Sequence, residues 1–125
     1  MRAFRREASR RAIANDRASG RLPACIIDNA GTVNTGAIDD SQALADLATE
    51  RGRWLHVDGC IGALLRIAPE NAWRVAGIER AYSIALEPDK WFYAPFEVGC
   101  VLVRDAAAHR GTFAVTPWTC SCVKL

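Results

Sequence analysis

The sequence has no apolar run approaching the ~18 residues that a membrane-spanning helix needs, and no apolar signal core leading to a small-residue cleavage site. The chain is therefore expected to be cytoplasmic, with no membrane partner. Excess charge of one sign is also missing. Sixteen basic against 14 acidic side chains leave a net charge of +2, too little to imply a nucleic-acid partner. Internal repeats, low-complexity tracts and Pro/Gly/Ser-rich linkers are absent, so nothing divides the 125 residues into separate domains. The five cysteines (Cys25, Cys60, Cys100, Cys120, Cys122) form no C-x-x-C pair and are read as reduced thiols. Cys120 and Cys122 with His109 match no closed zinc pattern.

What is present suits a folded core: 50% hydrophobic and 24% charged residues exclude wholesale disorder. Basic charge gathers at the start, where Arg2, Arg5, Arg6, Arg10, Arg11, Arg17 and Arg21 meet only Glu7 and Asp16. A solvated helix face accounts for this more simply than a transit peptide. Residues 3–19 lack Gly and Pro and read as that helix, stopped by Gly20 and Pro23.

Beyond it, helix and strand signals alternate. Residues 24–29 form a short apolar run expected to be a strand, and GTVNTG at 31–36 is a loop bracketed by glycines. A helix runs from Asp39 or Asp40 to about Arg51, with Gln42 in capping-box position relative to Asp39 and Gly52 at its stop. WLHVD at 54–58 is a second strand, 70–76 a short helix, 82–86 a third strand, 99–104 a fourth, and 105–109 helical. This alternation predicts an α/β fold with a mainly parallel sheet and covering helices. Only about a dozen residues separate the last two strands, short for a helical crossover, so the final strand is expected to run antiparallel.

Ligands of such sheets gather beyond the carboxyl ends of the strands. There the sequence places Thr32 and Asn34, then His56 and Asp58, then Asp89 and Lys90. A carboxylate and a lysine at neighbouring strand ends suit pyridoxal 5'-phosphate (PLP) chemistry. The lysine amine must reach the cofactor aldehyde partly neutral, which calls for a desolvated or cationic setting. The carboxylate must keep the pyridine nitrogen protonated. His56-x-Asp58 could instead ligate a metal, but a third ligand is not evident.

Three stretches, PACIIDNAGTVNTGAIDD, WLHVDGCIGA and GIERAYSIALEPDKWFYAPFEVGCVLVRD, resemble the group II PLP-dependent amino-acid decarboxylases, in matching order and spacing, from about residue 10 to about 118. These include aromatic-amino-acid, histidine and glutamate decarboxylases. The resemblance implies part of a fold-type I large domain across 1–125, with a basic helix at 1–20 and a divergent tail at 118–125. It implies an amino-acid substrate, a homodimer, Lys90 as the Schiff-base lysine and Asp58 against the pyridinium nitrogen. His56, Cys60, Thr32 and Asp89 fall near the same cofactor.

The departures from the family pattern concern that pocket. Val33 stands for the second threonine of the G-T-T loop, and Gly59-Cys60 for the usual Ala-Ala. Tyr82 replaces a usual Asp, and Asp89 replaces the histidine before the lysine, which in the family lies by the cofactor phosphate. Two like charges ~5 Å apart at an effective dielectric near 20 repel by about 3 kcal/mol, roughly a hundredfold in affinity. The phosphate-cradling loop, the ring-stacking histidine and the mobile catalytic loop of the family are not found in these residues. Reduced activity of the chain alone is the expectation, and a relict unit that binds PLP weakly or serves only for association is the alternative.

Overall fold

The computed structural model describes residues 2–114, with side chains from Arg6 onward. The tail at 118–125, with Cys120 and Cys122, lies outside the described residues. Four strands, β1 (Cys25–Asn29), β2 (Trp54–Asp58), β3 (Ser83–Leu86) and β4 (Cys100–Val103), form one sheet in that order. β1, β2 and β3 are parallel and β4 runs antiparallel to β3, as the short last connection predicts.

Side-chain alternation gives the sheet two unlike faces. Ile26 and Asp28 of β1 and Leu55 and Val57 of β2 turn to the covered side and are buried. Helix α2 (Ser41–Arg51) packs on them through Leu44, Ala45, Leu47 and Ala48. Leu47, Leu55, Val57 and Val75 are the largest apolar side chains lost entirely from solvent, each contributing about 1.5–3 kcal/mol. The opposite face carries Cys25, Ile27, Trp54, His56 and Asp58, and Ile27 remains 65% exposed there. Helix α1 (Arg2–Ala18) adds Ile13 to the core and is tied to α2 by Arg10 and Glu50, 2.5 Å apart.

Two local expectations are corrected. The capping box based on Asp39 does not form. Asp40 is the N-cap, accepting from Ala43 N at 3.2 Å, while the Asp39 carboxylate accepts from Asn29 N at 3.3 Å. The Asp39 amide also donates to the Asn29 carbonyl, which straps this residue to the end of β1 and delays the helix by one position. The helix expected at 70–76 is replaced by three 3-10 turns, Ala63–Ile67, Ala72–Val75 and Ile78–Arg80. Pro69 and Gly77 bracket too few residues for a stable α-helix, so burial of Val75 and Ile78 fixes the path instead.

After β3 the chain makes one helical turn, α3 (Pro88–Trp91). The final helix, α4 (Ala106–Phe113), is capped by Asp105 and runs past the expected 109. Among the described residues no helix is long and apolar enough to cross a membrane.

Candidate functional site

The parallel strands end on a common rim, where Asn29, Asp58 and Ala85 lie side by side on adjacent strands. The turn after β2 is built for close approach. A Cβ on Gly59 would stand 2.4 Å from Ala63 Cβ, and one on Gly62 would stand 2.2 Å from the Ala30 carbonyl oxygen. Their absence lets Gly62 N–H donate to Ala30 O at 2.8 Å, drawing the turn against the end of β1.

Asp58 closes β2 on the open face of the sheet and is exposed. One carboxylate oxygen accepts the Cys60 amide at 3.3 Å, which orients the side chain. Lys90 sits at the end of the next strand, in α3. Pro88 at the first turn of α3 keeps Glu87 extended (φ −124, ψ 92). From there Glu87 Oε2 reaches Lys90 Nζ at 2.5 Å. The pair holds the Lys90 ammonium above the usual lysine range and the Glu87 carboxyl below the usual carboxylate range. Lys90 thus has an anionic setting in place of the desolvated or cationic one that imine chemistry favours.

Cys60 joins the two carboxylates. Its thiol is pushed up to about 12, first by burial and then by its contacts with Asp58 and Glu87. Asp89, half-buried, lines an open cleft of about 480 Å³ together with Glu87, Lys90, Glu97, Val98 and Gly99.

The structure thus gathers Asp58, Cys60, Asp89 and Lys90 on one rim, and adds Glu87. His56 lies two residues before Asp58 on the same face, with Nδ1 2.8 Å from the Ser83 hydroxyl. Thr32 is not shown in this group. Its hydroxyl lies 2.8 Å from Thr35 Oγ1 and accepts from Ala37 N at 3.0 Å, bracing the loop after β1. His109 packs edge-on to Phe113 in α4, and among the described residues no three His, Cys, Asp or Glu side chains converge as a metal site. Glu87 and Ser83 escaped the sequence reading. A Glu three positions before a Lys, followed by Pro, was the available signal for Glu87.

A mainly parallel sheet with a carboxylate and a lysine on its carboxyl rim defines the class, and comparisons with known proteins narrow it. The family model described as the pyridoxal-dependent decarboxylase conserved domain matches residues 1–118. The chain belongs to this family. It is 42% identical over 110 residues to an aromatic-L-amino-acid decarboxylase of Bacillus atrophaeus, covering 88% of this chain and 23% of that protein. Its fold matches the crystal structure of Catharanthus roseus tryptophan decarboxylase in complex with L-tryptophan. The TM-score there is 0.81 at 30% identity, over 89% of this chain and 24% of that one. The glutamate decarboxylase domain of a Vibrio parahaemolyticus diaminobutyrate-pyruvate transaminase and L-2,4-diaminobutyrate decarboxylase gives a TM-score of 0.76. Its identity is 38%, over 81% of this chain and 22% of that one. The chain spans under a quarter of the length of each of these relatives.

Proposed function

We propose that this chain supplies the cofactor-lysine segment of a PLP-dependent amino-acid decarboxylase, as part of its large domain. The observation that carries the reading is that Asp58 ends one parallel strand and Lys90 follows the end of its neighbour, in a member of the pyridoxal-dependent decarboxylase family.

The donor set suits the ring and aldehyde end of the cofactor. Asp58 offers a carboxylate oriented by the Cys60 amide, and Lys90 offers a primary amine one strand away. When bound, the protonated pyridine ring of PLP takes up the electron pair left as the substrate loses carbon dioxide. Asp58 would hold the proton on the ring nitrogen through a charge-assisted hydrogen bond. Lys90 would hold the cofactor at its aldehyde carbon, and its amine, when not so engaged, could move protons. Cys60, in its high-pKa protonated form, walls the pocket beside Asp58 and adds no charge. The 42% identity to an aromatic-L-amino-acid decarboxylase favours an aromatic amino acid as substrate. The reading includes a homodimer and a cytoplasmic setting, which the free thiols of Cys25, Cys60 and Cys100 suit.

One observation favours a second reading, a unit that binds PLP weakly or only associates with other chains. Glu87, Asp89 and Glu97 surround Lys90, the one cation among the described residues that line the cleft, and three carboxylates oppose an anionic phosphate.

The test is to mix the chain with PLP, reduce with borohydride, and map the pyridoxyl label by mass spectrometry beside Lys90→Ala. Label on Lys90 that disappears in the variant is expected. Label spread equally over Lys90 and Lys124 would refute the site and leave the second reading.

A further inference from the structure

The Lys90 amine does not stand free in its cleft: Glu87 Oε2 lies 2.5 Å from it, on the same proline-started turn. Pro88 restricts the residue before it to extended conformations, and Glu87 at φ −124, ψ 92 obeys. The Lys90 amide donates to the Glu87 carbonyl at 3.1 Å, closing the turn that sets the two side chains on one side. The loop after β2 brings the Cys60 thiol close to Glu87 and Asp58.

The other charged groups facing Lys90 have the same sign as Glu87. Asp89 precedes it in α3, Glu97 lines the opposite side of the cleft, and Asp58 lies behind Cys60 on β2. Among the described residues no second cation lines this cleft to drive a proton off the amine.

We propose that Glu87 is a positioning residue that clamps the Lys90 ammonium, so that attachment of an aldehyde cofactor requires Glu87 to release it. This rests on the reading of Lys90 as the cofactor lysine. Attachment needs the lysine lone pair. The ammonium passes one proton to solvent, a carbon–nitrogen double bond forms at the aldehyde carbon, and the aldehyde oxygen leaves as water. While the carboxylate holds the ammonium, the first of these events is suppressed. The clamp therefore sets the pH at which Lys90 becomes reactive, and neutralising Glu87 lowers that pH.

The experiment has two arms on the full chain, comparing wild type, Glu87→Gln and Glu87→Asp, with folding checked by circular dichroism. In the first, Lys90 is acetylated with trace acetic anhydride between pH 7 and 11 without cofactor. Its rate is read by mass spectrometry against Lys124 in the same molecule. Glu87→Gln should make Lys90 several-fold more reactive at pH 8 and move its profile to lower pH, and Glu87→Asp should restore most of the wild-type profile. In the second arm, PLP is added and trapped with borohydride, and the Lys90 label should accumulate faster in Glu87→Gln by a similar factor. Equal acetylation profiles in all three proteins would overturn the clamp whatever PLP does. A shifted acetylation profile with no pyridoxyl label on Lys90 in any protein would instead overturn the cofactor assignment, and the gate with it.

Discussion

His56 Nδ1 lies 2.8 Å from the hydroxyl of Ser83, the residue directly beside it on the neighbouring parallel strand. The same hydroxyl accepts the Trp54 indole N–H at 2.8 Å, leaving its own proton for the imidazole. The arrangement that satisfies all three groups makes His56 Nδ1 an acceptor and puts the ring proton on Nε2. Trp54 in turn packs at a tilt against Tyr82, ring centroids 5.1 Å apart. A small polar chain thus stiffens the face of the sheet that leads up to Asp58.

Replacing Ser83 by alanine should therefore cost more than one hydroxyl. Two side chains lose their partner at once, and the expected destabilisation is about 1–3 kcal/mol. Urea unfolding followed by tryptophan fluorescence would measure it. An unchanged midpoint would mean that solvent satisfies Trp54 and His56 equally well.

Cys60 provides a chemical test of the rim. A thiol pushed up to about 12 by burial and by Asp58 and Glu87 holds almost no thiolate at pH 8. It should react with iodoacetamide roughly a thousandfold more slowly than an ordinary thiol. Glu87→Gln and Asp58→Asn should each speed that reaction, because each removes a charge that opposes the thiolate. A wild-type Cys60 alkylated as fast as a free thiol would show that the carboxylates do not surround it.

The sheet was legible because its signals are local and redundant. Apolar runs at 25–29 and 54–58, glycine stops such as Gly52, and the short Leu86-to-Cys100 connection each bear on the same topology. The 3-10 crossover was not legible, since Val75 and Ile78 are placed by tertiary burial and not by a helical period. Asp39 misled for a similar reason: a backbone pairing with Asn29, ten residues away, outcompeted the capping box. At the site, residue types and spacing pointed to Asp58 and Lys90. Glu87 acts through the geometry of one proline-started turn, which a list of reactive residue types overlooks.

Asp28 carries the remaining prediction. It points from β1 into the covered side of the sheet with no exposed surface, and neither carboxylate oxygen meets a protein partner in good hydrogen-bond geometry. Burial raises its pKa, the nearby Ser41 hydroxyl offsets part of the rise, and Asp39 and Asp40 oppose its charge further. Because the folded pKa lies above the unfolded one, the folded state binds the proton more tightly. The associated stability is fully present below the unfolded pKa and is lost as pH rises through the folded one. Asp28→Asn removes the charge while keeping the shape. It should stabilise the chain at pH 7 by on the order of 1 kcal/mol or more, because a buried charge costs more to desolvate than the neutral amide that replaces it. That gain should vanish below about pH 4, where the wild-type carboxyl is protonated in both states. Thermal or urea unfolding of both proteins from pH 3.5 to 8 would trace the difference. Parallel curves across that range would mean that Asp28 does not titrate differently in the two states, and its burial would then need a partner that neutralises the charge.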